Sequence, residues 1–361
     1  MDFEMKEKVM ILVPSFEGGG AERLAINIAN NFCKLGHEVI LFSGSDSGPY
    51  LSEVFSSVKV FIGSGKGMLR SVRMISNVIN RLKPDIIFCS QVHVGLSAYL
   101  SRAIAKSNAK LLVREASTPS RKFSFIDNWL NYSVLKCIGI FVYKNVDCVI
   151  APNNSVKNDV LNFYSKNLNV KVLFNPMEVE DIKSLSRDKV DEDWLEENNI
   201  PVIVSVGRLT DVKDFGLLLE AFSRLVALKK CYLIILGDGP LKEELIDLVD
   251  SLNLNGFVKF KGFVNNPYPY MALSDLYVLS SKYEGMPNSL IQAALLGTSC
   301  ISTDCLSGPS EILHEERLSP VGDCERLLSN IHEFLHSSES GLKVPTNAFN
   351  TDKFCKEILA I

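Results

Sequence analysis

The chain has 361 residues, 47% of them hydrophobic and 22% charged, with a formal net charge of −4. That length exceeds what one hydrophobic core usually serves, and the composition excludes disorder and low complexity, so two domains of ordinary size are expected. Cations outnumber acids up to Asn175 and acids outnumber cations beyond it, which suits a first half that faces something anionic, such as a membrane surface, a phosphorylated lipid or a nucleic acid.

The first residues, "MDFEMKEKVMILVPS", hold a short apolar run behind mixed charge, without the long apolar region and small-residue cleavage site of a secretion signal. The stretch "SVLKCIGIFVYKNVDCVIAP" is interrupted by Lys136, Lys144 and Asp147, so it does not supply the roughly 18 uncharged residues of a membrane span. The expectation is a soluble cytoplasmic protein. Its nine cysteines are scattered, most inside apolar runs, and read as reduced core residues. Only His332 and His336 approach metal-ligand spacing, on what reads as an exposed helix face; no metal and no cofactor are expected.

Along the first half, "VMILVP", "EVILFS", "VKVFIG", "DIIFCS", "KLLVRE", "DCVIAP" and "VKVLFNP" are short apolar runs, most of them followed by a helical pattern. Strand-then-helix alternation of this kind points to a parallel sheet covered on both faces. Residues 177–199 are acidic and lack a strand signal, so a hinge is expected there. The rhythm restarts with "PVIVSVG", "CYLIILG", "FVKFKG", "DLYVLSS" and "TSCISTD". The expected architecture is two tandem Rossmann-like, doubly wound α/β domains, 1–175 and 176–361, with the final helix free to cross back to the first. Ligands of such sheets bind beyond the carboxyl ends of the strands, and two facing domains would enclose a cleft.

Several junctions carry candidate chemistry. After the first strand, Gly18, Gly19 and Gly20 run into a helix whose amides could approach a phosphate, although such glycines also simply make tight turns. The pattern departs from G-x-G-x-x-G at Arg23, which disfavours an NAD-dependent enzyme. "VSVGRLTDVKDF" places Gly207 and Arg208 at a strand's carboxyl end and Lys213 at the start of a helix, a forked donor and a point charge suited to a diphosphate. Phe263 and Val264 follow a strand, where backbone groups could face a base ring. In "SSKYEGMPNSLIQAALLG", Glu284 projects from a loop, Pro287 suits the first helical position, and the amides of Asn288, Ser289 and Leu290 are left to face an anion. Glu284 beside an anion is suited to accepting hydrogen bonds from sugar hydroxyls; Gln292 lies about two turns further on, on a similar face.

These pieces, "EGGGAERLAINIA", "VSVGRLTDVKDF", "ILGDGPLKEEL", "YEGMPNSLIQAALLGTSCISTDCLSGPSEIL" and "SPVGD", resemble in order and spacing the retaining glycosyltransferases of family 4, which have the GT-B fold. The resemblance, closest to members that build bacterial surface polysaccharides or lipid-linked oligosaccharides, implies a UDP-sugar donor and a glycan or lipid-linked acceptor, with no nucleic-acid partner. It implies that Arg208 and Lys213 hold the donor diphosphate, and that Gly285, Met286 and Pro287 lie under the sugar. It also implies that Glu284 touches the transferred sugar and that Leu290 and its neighbours offer amides to the phosphates. The family's second glutamate, which binds the ribose, falls at Gln292, so weaker donor binding is expected. Where many members carry a histidine near the acceptor, this chain has Arg114 and Glu115; His93 is a further acceptor-side candidate. A sugar-nucleotide epimerase and a weakened, inactive relative are the alternatives, and peripheral association with the inner face of the cytoplasmic membrane is a further expectation.

Overall fold

The computed structural model describes residues 6–17, 20–65, 67–124, 126, 128–196 and 200–361. They form two compact units, Met1–Met177 with Asn347–Ile361, and Glu178–Thr346.

In the first unit the seven apolar runs become strands: β1 (Lys8–Val13), β2 (Glu38–Ser43), β3 (Lys59–Ile62), β4 (Ile86–Ser90), β5 (Lys110–Arg114), β6 (Cys148–Ala151) and β7 (Val170–Val172). All pair in parallel, in the order β3-β2-β1-β4-β5-β6-β7. The helices between them are α1 (Gly20–Lys34), α2 (Val72–Leu82), α3 (Val92–Ile104), α4 (Pro119–Phe123), α5 (Trp129–Lys144) and α6 (Asn154–Phe163). Alternate residues of one strand feed opposite cores, because side chains of a strand point to opposite faces. Val9, Ile11 and Val13 meet Leu24, Ile28 and Phe32 of α1, whereas Met10 and Leu12 belong to the core that includes Ile75, Val94 and Val142.

The C-terminal helix Thr351–Leu359 completes the α1 core with Phe354, Cys355 and Ile358. Its approach is fixed by the Met177 amide donating to the Phe349 carbonyl at 2.7 Å. The units therefore divide after Met177 rather than after Asn175, and the last fifteen residues belong with the first.

The second unit holds α7 (Val179–Leu185), α8 (Asp193–Glu196), β8 (Val202–Val206), α9 (Phe215–Leu228), β9 (Tyr232–Leu236) and α10 (Lys242–Ser251). It continues through β10 (Val258–Gly262), α11 (Tyr268–Leu273), β11 (Leu276–Leu279), α12 (Asn288–Leu295) and β12 (Ser299–Thr303). It then runs on to α13 (Pro309–Ile312), β13 (Leu318–Ser319) and α14 (Cys324–Phe334). Strand order is β10-β9-β8-β11-β12-β13, again all parallel. The order reverses around β8, which puts a switch point between β8 and β11, and the crevice beyond it is where a doubly wound sheet binds ligands.

An ionic clasp holds the start of this unit to its edge strand. The carboxylate of Glu192, buried, accepts from Lys259 and, at 2.9 Å, from Lys261, both on β10. Trp194 stacks on Tyr232 with ring centroids 4.2 Å apart. No helix among the described residues is long and apolar enough to cross a membrane.

Candidate active site

The site is built at the carboxyl ends of β8 and β11. Gly207 follows β8, and its carbonyl is approached so closely by Gly237 that a Cβ there would stand 1.9 Å from the oxygen; only glycine, here at φ +144°, fits. The chain then passes Arg208, which is exposed, and makes a 3-10 turn over Asp211–Lys213. The Lys213 stem lies across Gly207, where a Cβ would already touch its Cδ and Cε at 3.4 Å. Two bonds pin this turn to the end of β11: Ser280 Oγ donates to the Lys213 carbonyl at 2.8 Å, and the Lys282 amide donates to the Val212 carbonyl at 2.8 Å.

The Lys213 ammonium donates to Glu284 Oε1 at 2.5 Å, and both side chains are mostly buried. The same oxygen accepts from Ser281 Oγ at 2.7 Å, while the Ser281 carbonyl accepts from Thr303 Oγ1 at 2.6 Å. Glu284 is thus held from β11 and β12 as well as by the lysine. Sequence reasoning brought Lys213 and Glu284 to one ligand but did not foresee their pairing, and it missed Ser280, Ser281 and Thr303. The signal was present: serines closing a central strand, at its carboxyl end, have no apolar reason to be buried.

The helix after Glu284 starts one residue later than expected. Pro287 has ψ 82°, outside the helical range, so it caps α12 instead of opening it, and the Asn288 amide donates to the Met286 carbonyl at 3.0 Å. Asn288 therefore leaves the set of amides available to an anion. Among the described residues, those of Ser289 and Leu290 have no backbone acceptor. The Ser289 hydroxyl accepts from the buried Tyr277 hydroxyl at 2.7 Å and donates to the Val206 carbonyl at 3.3 Å, tying the start of α12 to the end of β8. Burial pushes the Tyr277 phenol upward, so it remains a donor. Pro287 is also wedged from outside, since a Cβ on Gly308 would stand 2.6 Å from its Cδ. Burial pushes the neighbouring Cys305 thiol up to about 12, with Glu284 adding to the shift and Lys213 opposing it, so at neutral pH it is a thiol and not a nucleophilic thiolate. Gln292 is half-buried on α12, with its Nε2 3.5 Å from the Tyr268 hydroxyl of α11.

The remaining candidates are more scattered. Phe263 and Val264 follow β10, two strands away from β8; Phe263 is 77% exposed. Gly19 lies outside the described residues, and Gly20 opens α1 in the first unit. Arg114 and Glu115, expected near an acceptor, have side chains turned into the first unit: 2% and 3% exposed. A guanidinium nitrogen of Arg114 donates to Asn175 Oδ1, and burial lowers its pKa to about 10, leaving it charged at neutral pH. Glu115 accepts from the Tyr143 hydroxyl at 2.6 Å and from Ser117 at 3.3 Å, so both of its oxygens are engaged inside the unit. The strand period explains this, because the end of β5 still sits in the middle of a sheet. His93, exposed on the first turn of α3, has its pKa lowered by local desolvation and by Lys122.

Residues 18–181 match the family model described as Glycosyltransferase Family 4, and residues 186–351 the one described as Glycosyl transferases group 1. The chain carries a Glycosyltransferase Family 4 region followed by a Glycosyl transferases group 1 region. An uncharacterized glycosyltransferase of Methanocaldococcus jannaschii is 30% identical over 260 residues, 69% of this chain and 63% of the relative. The N-acetylgalactosamine-N,N'-diacetylbacillosaminyl-diphospho-undecaprenol 4-alpha-N-acetylgalactosaminyltransferase of Campylobacter jejuni is 33% identical over 212 residues, 58% of this chain and 55% of the relative. The chain thus spans less than two thirds of these relatives' lengths. The solved structure of Anabaena HepE with UDP-glucose superposes with a TM-score of 0.74 at 19% identity, covering 98% of this chain and 96% of the other. The chain therefore has the GT-B fold, with two Rossmann-like α/β units.

Proposed function

We propose that the chain is a retaining glycosyltransferase that moves a hexose or N-acetylhexosamine from a UDP-sugar to a glycan or polyprenyl-diphosphate-linked acceptor in bacterial surface polysaccharide synthesis. The observation that carries this reading is the meeting of Lys213 and Glu284 at the carboxyl ends of β8 and β11, beside the start of α12. One point offers a cation and two helix amides to a diphosphate; the next offers a carboxylate to sugar hydroxyls. Support for the donor and acceptor classes comes from the relatives: the HepE structure holds UDP-glucose, and the Campylobacter enzyme's name specifies an undecaprenol-diphosphate-linked sugar.

In this scheme the C1–oxygen bond of the donor breaks and charge develops on the departing diphosphate. Arg208, Lys213 and the amides of Ser289 and Leu290 meet that charge with donors already in place, so little reorganisation is needed as the bond breaks. Glu284 accepts hydrogen bonds from the sugar hydroxyls and fixes the ring over Gly285–Pro287. The acceptor hydroxyl attacks C1 from the face the diphosphate leaves, and its proton passes to the departing phosphate oxygen, which accounts for retention without a separate protein nucleophile. Gln292 supplies an amide oxygen to the ribose hydroxyls in place of a carboxylate.

A panel of nucleotide sugars, screened for thermal stabilisation and slow hydrolysis, tests the reading without knowledge of the acceptor. Stabilisation by UDP and by one UDP-sugar, with release of the free sugar of unchanged anomeric configuration, is expected. Absence of stabilisation by any nucleotide contradicts it, and conversion of one UDP-sugar into another without an acceptor identifies an epimerase.

A further inference from the structure

Two buried polar groups of the first unit have no partner among the described residues: the hydroxyl of Ser90, which closes β4, and Nε of Arg114, which closes β5. They stand side by side. Ser90 and Arg114 are register partners in the parallel sheet, and both lie on the face that Phe88 and Leu112, two residues earlier, give to the α1 core. Ser90 is 8% exposed and Arg114 2%. Buried polar groups without partners are rare, because each forfeits its bonds to water. The start of α3 adds to the same place. Gln91, between Ser90 and the helix, takes φ 76° and ψ 143°, a left-handed conformation that favours glycine, and its side chain makes no capping bond. Its amide donates to the Arg114 carbonyl at 3.0 Å, which fixes the helix start over the ends of β4 and β5.

Charge decides what such a place would hold. The Arg114 guanidinium donates to the neutral Asn175 Oδ1, and Glu115, the acid next to it in sequence, lies on the other face, where Tyr143 and Ser117 engage its oxygens. Desolvation outweighs the attraction of Glu115, so the charge of Arg114 is not fully offset. The rim is cationic too: desolvation, with Lys122 of α4 adding to it, lowers the pKa of His93 on the first turn of α3. A neutral ligand would satisfy the hydrogen bonds and leave the charge unpaired; an anion with several acceptor oxygens answers both. Phosphate fits best, since its oxygens can take the guanidinium Nε, the hydroxyl and the first amides of a 13-residue helix together. We propose that Ser90, Arg114 and the start of α3 form a phosphate-binding site in the first unit, for a phosphate group borne by a substrate or free in solution. The proposal stands on the first unit alone and does not depend on the donor assignment in the second.

The test is calorimetric titration of the full chain with inorganic pyrophosphate and with geranyl diphosphate, in about 0.15 M salt and with excess UDP to fill the proposed donor site. Binding of pyrophosphate, geranyl diphosphate or both is expected. Arg114→Met, which removes the charge at similar length, should weaken it about tenfold or more, and Ser90→Ala about threefold or more. The affinity for UDP alone should be unchanged in both variants. Geranyl diphosphate binding tighter than pyrophosphate assigns the site to a substrate-borne diphosphate; binding no tighter assigns it to free phosphate. Should Arg114→Met not fold, Ser90→Ala decides alone. Should the wild type bind no UDP, the donor reading fails, and the two variants still decide this one through pyrophosphate. No binding of either probe to the wild type, or wild-type affinity for both probes in the two variants, would overturn the proposal.

Discussion

Lys213 and Glu284, 71 residues apart in the chain, share a 2.5 Å ion pair at the point where the donor's diphosphate and sugar are proposed to meet. The lysine a diphosphate would use is therefore already neutralised by the carboxylate a sugar would use. A full nucleotide sugar can engage both partners; bare UDP can engage only the lysine and must compete with Glu284 for it.

Glu284→Gln should therefore have opposite effects on product and turnover. The amide keeps a bond to Ser281 but releases the ammonium, so UDP should bind tighter by about 1 kcal/mol, or roughly fivefold in Kd. Transfer should fall by roughly a hundredfold or more as sugar positioning is lost. Calorimetric titration of UDP beside a transfer assay checks both; weaker UDP binding in this variant would show that the pair does not compete with the diphosphate.

Gln292 is the residue most at odds with the family pattern, and Gln292→Glu tests its cost. A carboxylate accepts ribose hydroxyls more strongly than an amide, so UDP affinity should rise by about 1 kcal/mol. The gain should vanish for a UDP analogue lacking the 2′ and 3′ hydroxyls. An equal gain for both ligands would locate Gln292 away from the ribose.

The strands were legible because a parallel strand buried on both faces writes itself as an apolar run. All seven of the first unit and β8 to β12 of the second stand on such runs; β13, two residues in "RLSPVG", is too short to leave one. The return of Thr351–Leu359 to α1 was open in the sequence because Phe354, Cys355 and Ile358 mark an amphipathic helix without naming its partner. At the site, strand ends and glycine turns were readable from local chemistry. The Lys213–Glu284 pair and the serines beneath it depend on the β8–β11 adjacency, which no local pattern encodes. Pro287 was placed one position too far into the helix because its fixed φ suits either a cap or a first turn, and ψ decides.

The Glu192 clasp should make the second unit acid-sensitive. Burial opposes ionisation most strongly, yet the bonds from Lys259, Lys261 and the Trp194 amide together hold the carboxyl below its ordinary value. A depressed folded value means that the stabilisation is complete above the unfolded range, about 4.3, and is lost as pH falls through the folded one. Glu192→Gln should cost about 1–3 kcal/mol at neutral pH and flatten this part of the acid profile in urea unfolding. An unchanged profile would remove the clasp from the stability of the unit.

Gly308 supports the turn that caps α12 from a distance. At φ +115°, with a Cβ 2.6 Å from Pro287 Cδ, Gly308→Ala strains its own backbone and displaces the proline. A loss of about 1–3 kcal/mol in stability is expected, accompanied by weaker UDP binding. Thermal melts with and without UDP separate the two effects; lost stability with unchanged UDP affinity would mean that the turn does not set the amides.

The most direct measurement compares UDP with uridine, in wild type and in Lys213→Ala, by calorimetry. Uridine lacks the diphosphate, so the ratio of the two affinities reports what the charge contributes. If Lys213 and the start of α12 grip the diphosphate, UDP should bind the wild type about a hundredfold or more tighter than uridine, and the variant should lose about tenfold or more of that ratio with its uridine affinity unchanged. An equal ratio in the two proteins would contradict the assignment of the diphosphate to this corner of the second unit.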